Sequence, residues 1–116
     1  MGADIKEIRH IIYEYGKKIN FNFLGLVSFG QTPKELNMKG VEMGFTILKN
    51  PNLTAFQNYC NKTSNSRKKQ LDKVLKIHNI PYTKRLVKEK KTEQGQYYTT
   101  YYFIPLATFG IEKVKE

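Results

Sequence analysis

Basic side chains are the residues whose number and spacing most directly suggest chemistry in this sequence. Positions 67–91 hold ten lysines and arginines against two acids, which is +8 of the formal net charge of +10. Such a local excess favours a surface that binds a polyanion: DNA, RNA or an anionic membrane. The alternative is a lysine-rich solvated surface, since Lys, Asn, Ile and Tyr are abundant, as an AT-rich genome would encode. The ten basic residues are Arg67, Lys68, Lys69, Lys73, Lys76, Lys84, Arg85, Lys88, Lys90 and Lys91.

No catalytic or metal-binding pattern accompanies this charge. The histidines are His10 and His78, the single cysteine is Cys60, and their spacing is not that of a metal site. We expect His78 to be a satisfied histidine on an apolar helix face and Cys60 to pack inside the fold. The sequence has no phosphate-binding loop, paired-carboxylate signature or serine-centred elbow. We therefore expect no enzymatic activity, no cofactor, no metal and no small-molecule substrate.

Length and composition indicate one domain spanning residues 1–116. A chain of 116 residues with 40% hydrophobic residues can bury a core without disulfides. A single cysteine excludes an intramolecular disulfide and fits a reducing compartment. The apolar runs are far shorter than the roughly 20 residues of a membrane helix, and the first ten residues do not read as a signal peptide. We expect a cytoplasmic protein that does not enter a membrane.

The first half of the chain is predicted to form a helix and strands. Asp4 caps a helix that runs to about Lys18, with Glu7 as its capping-box partner. Residues 21–29 suit a buried strand, 30–33 a turn followed by a short helix, and 41–48 a strand. The apolar face of the first helix consists of Ile5, Ile8, Ile12, Tyr15 and Ile19.

The second half is predicted to contain two helices and a hairpin. Asn52 caps the first of these helices, and a serine-rich turn at 63–66 separates it from the second, which ends before Pro81. Residues 82–89 and 97–106 then form strands around a polar loop, and 107–116 add a short tail. The inward residues of the helix capped by Asn52 are Leu53, Phe56, Tyr59 and Cys60. Those of the helix after the serine-rich turn are Leu71, Val74, Leu75 and His78.

The order of short helix, serine-rich turn, basic helix and basic hairpin resembles that of a winged helix-turn-helix domain. The resemblance covers residues 52–106, with the helix-turn-helix at about 52–79 and the wing at about 82–106. It implies an α+β fold, a three-helix bundle with a C-terminal β-hairpin wing. The sequence is most similar in character to small winged-helix proteins of bacterial plasmids and mobile elements. That resemblance implies sequence-specific binding of double-stranded DNA in conjugation, replication or transcription control.

On this interpretation both the recognition helix and the wing contact DNA. The start of the helix would read bases, the lysines would neutralise phosphates, and the glutamines would reach base edges or phosphates. The tyrosines of 97–103 would in part pack the hairpin onto the bundle. The predicted DNA-binding residues of the helix are Asn65, Ser66, Arg67, Lys68, Lys69 and Lys73, and those of the wing are Lys84, Arg85, Lys88, Lys90, Lys91, Gln94 and Gln96.

Two other functions remain open at this point, and the assembly is expected to be a homodimer. DNA-binding modules of this kind usually read two half-sites as dimers, and the N-terminal helix and residues 20–30 are the candidate dimer contacts. The first alternative is an RNA- or ribosome-associated basic protein, in which tyrosines stack on unpaired bases. The second is a small protein-binding inhibitor.

Overall fold

The computed structural model describes residues 4–23 and 40–111. They form two α-helices and a three-stranded antiparallel sheet, so this part of the chain is α+β. Of the predicted strand at 21–29, residues 21–23 are described and are not in a strand. Its remaining residues, the short helix predicted after 30–33 and the end of the predicted tail lie outside the described residues. The elements are α1 (Ile5–Lys18), β1 (Gly40–Lys49), α2 (Ala55–Ile77), β2 (Thr83–Thr92), β3 (Gly95–Pro105) and a 3-10 helix (Leu106–Phe109).

The sheet has the strand order β1-β3-β2, with β3 in the middle. β2 and β3 form a hairpin with a two-residue turn at 93–94, and the next residue, Gly95, has φ +134°, a backbone angle that favours glycine. β1 pairs with β3 along its whole length, from Gly40 opposite Pro105 to Lys49 opposite Gln96. β1 and β2 are therefore parallel to each other on the two sides of β3, and α2 connects them as in a split βαβ unit.

Both α-helices pack on the same face of the sheet. Ile8 and Ile12 of α1 and Leu71 and Leu75 of α2 are fully or almost fully buried in one core cluster. Because side chains alternate along a strand, the strand residues of this cluster define one face, which we call the helix-bearing face. Its core residues are Val41, Met43, Phe45, Tyr102 and Ile104.

The predicted winged helix-turn-helix fold, a three-helix bundle with a wing, is wrong. The two helices expected on either side of residues 63–66 form one continuous helix, α2, of 23 residues. This segment contains no glycine or proline, and Ser, Thr or Asn in a helix interior each lose at most about 0.7 kcal/mol relative to Ala. Burial of Leu71 and Leu75 offsets that loss, so the serine-rich segment does not interrupt the helix.

The start and the inward face of α2 also differ from the prediction. Its N-cap is Thr54, which forms a capping box with Gln57, and not Asn52. Phe56 and Tyr59 were expected inside but are 73% and 66% exposed. In a continuous helix, the face of Leu71 and Leu75 is continued at positions 64, 61 and 57, so the aromatic rings lie beside it. Cys60 and His78, expected to pack, are also exposed, and Leu53 is half-buried.

Other sequence predictions are confirmed. α1 begins after Asp4, whose carboxylate accepts a hydrogen bond from the Glu7 N–H, so the predicted cap is confirmed. The predicted capping box is not, because the Glu7 side chain does not return a bond to the Asp4 N–H. A strand covers the predicted residues 41–48. The hairpin is present, although its strands reach closer to the turn than expected. In the described ranges, no helix combines the length and apolar character needed to cross a membrane.

Candidate nucleic-acid interface

Helix α2 is fixed in position by contacts at both ends of its length. Near its start, the Asn61 amide bonds the Leu48 backbone twice, accepting from the N–H at 2.9 Å and donating to the carbonyl at 2.8 Å. Toward its end, Leu71 and Leu75 are buried in the core. The rotation of α2 about its axis is therefore set, and with it the side chains that face solvent.

The outer face of α2 is basic and polar. At 100° per residue, the positions opposite Leu71 and Leu75 are 62, 66, 69 and 73. Lys68 is half-buried near the inward side, and Arg67 is exposed on the side that faces β1. One continuous strip of the outer face consists of Lys62, Asn65, Ser66, Lys69, Gln70 and Lys73.

Strand β2 adds further lysines on the helix-bearing face. Lys84 and Lys88 are opposite Tyr102 and Tyr98 in the register, so they share the face on which α2 packs. The Lys84 ammonium lies 5.5 Å from the centre of the Tyr102 ring. Between the two lysines, Leu86 is 69% exposed on the same face. β2 thus presents cations beside α2 and not only at the hairpin turn.

Tyr102 connects the two basic elements. Its ring is buried beside Phe45, and its hydroxyl donates a 2.6 Å hydrogen bond to the Asp72 carboxylate of α2. Burial, together with this carboxylate, raises the pKa of Tyr102 above its ordinary value. Because Lys84 lies over the same ring, the lysines of α2 and β2 are on one side of the sheet. The Asp72 carboxylate of α2 is therefore engaged by the Tyr102 hydroxyl.

Arg85 lies on the opposite face of the sheet. Its guanidinium lies 4.4 Å from the centre of the Tyr101 ring and 3.3 Å from the Glu42 carboxylate. The Tyr101 hydroxyl in turn donates a hydrogen bond to Glu89. Burial of the phenol, and to a lesser extent the Glu89 carboxylate, raises the pKa of Tyr101. Arg85 was predicted to bind DNA together with the lysines, but the structure separates it from them and neutralises its charge locally.

The end of the hairpin holds the remaining predicted residues. Lys90 and Lys91 are exposed next to an irregularity in the β2 register. Gln96 is half-buried, and its amide donates to the carbonyls of Glu89 and Tyr97. The Gln94 side chain accepts from the Tyr97 hydroxyl at 2.7 Å, and the Gln94 backbone carbonyl accepts from the Asn50 side-chain amide. Both glutamines therefore stabilise the hairpin itself.

The lysines of α2 and β2 lack ion-pair partners within the described residues. The ion pairs of Lys17 with Glu14 and of Arg85 with Glu42 do not involve these lysines. An unpaired lysine keeps its full charge for an external anion. In the same part of the chain, no three His, Cys, Asp or Glu side chains come together as a metal site would require.

Sequence reasoning did not predict two lysines, Lys62 and Lys49, that lie near the predicted binding residues. Lys62 was not predicted because the helix was thought to end there, and Lys49 was not predicted because it follows an apolar strand. Lys49 lies with its ammonium 5.0 Å from the centre of the Tyr98 ring, on the helix-bearing face. Reading 55–77 as one helix would have placed Lys62 in line with Lys69 and Lys73.

Comparisons with protein-family models, curated proteins and solved structures find no match for this chain.

Proposed function

We propose that the protein binds double-stranded DNA through one basic surface. This basic surface consists of the outer face of α2, the helix-bearing side of β2, and Lys49 at the end of β1. The observation that carries the proposal is the joining of the two elements through Tyr102, which brings lysines that are distant in sequence to the same side. Unpaired lysines on one continuous surface release counterions from a polyanion when they bind it. Its residues are Lys49, Lys62, Asn65, Ser66, Lys69, Gln70, Lys73, Lys84 and Lys88.

The shape of α2 suits a duplex. A helix of 23 residues is about 35 Å long, and the major groove admits an α-helix. Asn65, Ser66 and Gln70 are the side chains on the outer face that can hydrogen-bond base edges, with the lysines between them positioned for phosphates. Recognition would therefore come from the middle of a long helix that lies along the groove, and not from the start of a recognition helix.

The assembly and the cellular process stay predictions from the sequence. A homodimer and a plasmid or mobile-element role were implied by the winged-helix resemblance, and the observed fold does not provide the bundle on which that resemblance was based. Duplex binding does not depend on the resemblance, because the position of the lysines supports it.

The test compares two charge-matched double variants by fluorescence anisotropy on a labelled 20-base-pair duplex at about 0.15 M salt. Lys69→Ala with Lys73→Ala removes two cations of the basic surface. Each phosphate contact is worth about fivefold in affinity at this salt, so we expect the loss of two contacts to weaken binding about twenty-five-fold. Lys6→Ala with Lys18→Ala removes the same charge from exposed positions on α1. This control should lose no more than about twofold.

Two results would contradict the proposal. Equal losses in the two double variants would mean that only net charge matters. Tighter binding of an RNA of the same length than of the DNA duplex would favour the RNA-associated function. Selection from a randomised duplex pool then tests sequence specificity, since an enriched motif is expected if the polar residues between the lysines read bases.

A further inference from the structure

A groove runs along the outer edge of β1, beneath the first half of α2. Its volume is about 300 Å³, at the lower end of the range for small-ligand sites. Gly44 and Phe45 line it from the strand, and the helix provides the opposite wall. The helix residues of this wall are Tyr59, Cys60, Thr63, Ser64 and Arg67. The function proposed above does not use this groove.

Gly44 presents backbone hydrogen-bonding groups to the groove. The N–H and C=O of Leu48 both bond Asn61, so they point away from β3. In an antiparallel strand this direction repeats every second residue, and Gly44 is four residues from Leu48. Its N–H and C=O therefore point outward as well. A Cβ at this position would point at Tyr101 and Thr99 on the other face of the sheet, so the outward N–H and C=O are what Gly44 offers to the groove.

Tyr59 lines the groove, and Phe56 lies about one turn before it on the same helix. Both rings are largely exposed, at 66% and 73%, which is far more than aromatic side chains of a core. They are three residues apart on one helix, so their Cβ atoms are about 5–6 Å apart. Arg67 contributes a cation two turns further along the helix, and Lys62 lies on the adjacent outer face.

We propose that this groove binds an unpaired nucleobase. The base would stack on Tyr59, its edge would hydrogen-bond the Gly44 backbone, and the phosphate beside it would contact Arg67. Phe56 would receive the next base of the strand. Stacking on aromatic side chains between cations is how proteins hold single strands. The inference rests on the proposed function, because the adjoining basic surface binds the paired part of the same nucleic acid. The preferred substrate is then a duplex with a single-stranded overhang.

A nucleobase fits this groove better than an extended peptide does. A peptide strand would pair with several successive outward groups of β1, but those of Leu48 are already bonded to Asn61. A single planar base needs only the groups of Gly44. The charge is also appropriate, because Arg67 in the groove and the lysines of the outer face suit phosphates on both sides of the base.

The experiment measures the affinity of the full chain for two DNAs: a blunt 20-base-pair duplex and the same duplex with a four-nucleotide overhang. We expect the overhang to improve affinity about tenfold, as stacking of one base would. Tyr59→Ala should abolish this tenfold preference and leave binding to the blunt duplex unchanged. Tyr59→Phe should keep it, since stacking does not require the hydroxyl. Tyr13→Ala, which removes a 47% exposed tyrosine from α1, is the matched control.

Two spectroscopic and chemical readouts locate the base. The chain has no tryptophan, so Tyr59→Trp introduces a single reporter whose emission should be quenched by the overhang DNA and not by the blunt duplex. Cys60 is the single cysteine and lines the groove, so the overhang DNA should slow its alkylation by N-ethylmaleimide.

The outcomes separate this inference from the proposed function. Equal affinity for the two DNAs, with no effect of Tyr59→Ala, would overturn the base site while duplex binding stands. Protection of Cys60 by an acidic peptide and not by the overhang DNA would also overturn it, and would assign the groove to a protein partner. Loss of binding to both DNAs in Lys69→Ala with Lys73→Ala, together with loss of the overhang preference alone in Tyr59→Ala, is the result that supports both proposals.

Discussion

A proline at position 65 tests whether α2 is one helix or two. In a continuous helix, the N–H of residue 65 bonds the carbonyl of residue 61. Asn65→Pro removes this bond and places the proline ring against that carbonyl, which costs about 3 kcal/mol or more. Asn65 is exposed, so the control variant Asn65→Ala removes the same side chain without a packing change. The difference between the two variants therefore reports the backbone alone.

The expected loss of stability in Asn65→Pro is large enough to measure clearly. A domain of this size has a free energy of unfolding of about 5–15 kcal/mol, so 3 kcal/mol moves a urea midpoint clearly. If the proline melts only the turns before it, about a quarter of the helical signal at 222 nm disappears without urea. Either change, relative to Asn65→Ala, is expected from a continuous helix. A turn at 63–66 would accept proline readily, so equal stability and equal helical signal would refute our description of α2.

Two further predictions concern the contacts that hold α2 to the sheet. Asn61→Ala removes two hydrogen bonds to the Leu48 backbone, so it should lower the free energy of unfolding by about 1–3 kcal/mol, measured by urea titration. An unchanged urea midpoint would mean that water replaces the amide fully. Tyr102→Phe tests the raised pKa of Tyr102. Folding favours the neutral phenol, so its contribution is complete below the unfolded pKa of about 10 and declines as pH rises further. The stability advantage of the wild type over Tyr102→Phe should therefore be constant up to about pH 9 and shrink as the pH rises above about 10, and an advantage that stays constant there would contradict this cause.

Local signals were sufficient to predict the elements at both ends of the chain. Asp4 and the spacing of Ile8 and Ile12 predicted α1, because a cap and an apolar stripe are both readable from neighbouring residues. The hairpin was predictable from the period-two pattern and Gly95. The predicted loop was too long, because Lys90 and Lys91 continue β2 up to the turn although lysine is a poor strand former.

The error at α2 came from a local signal that competed with a tertiary one. Serines at 64 and 66 are good N-caps, and a serine-rich segment before a basic helix favours a helix start. The capping box at Thr54, the Asn61 amide and the burial of Leu71 together stabilise one long helix instead. Of these, only the capping box is visible in the sequence, as Thr and Gln three residues apart.

The residues that share the basic surface are determined by strand pairings, which no local sequence pattern reveals. β1 and β3 are separated by a helix and a strand, so the strand order β1-β3-β2 could not be read from periodicity. That order determines that Lys84 faces α2 and that Arg85 faces Glu42 on the other side. The concentration of charge was predictable from the sequence, but its division between two faces was not.

The salt dependence of duplex binding is the most direct test of whether α2 and β2 form a nucleic-acid interface. If about six lysines of the basic surface contact phosphates, a plot of log K against log salt concentration should have a slope near −5. Lys69→Ala with Lys73→Ala should make that slope shallower by about 2, while Lys6→Ala with Lys18→Ala leaves it unchanged. A wild-type slope shallower than about −2, or the same slope in both double variants, would contradict the claim that α2 and β2 form a nucleic-acid interface.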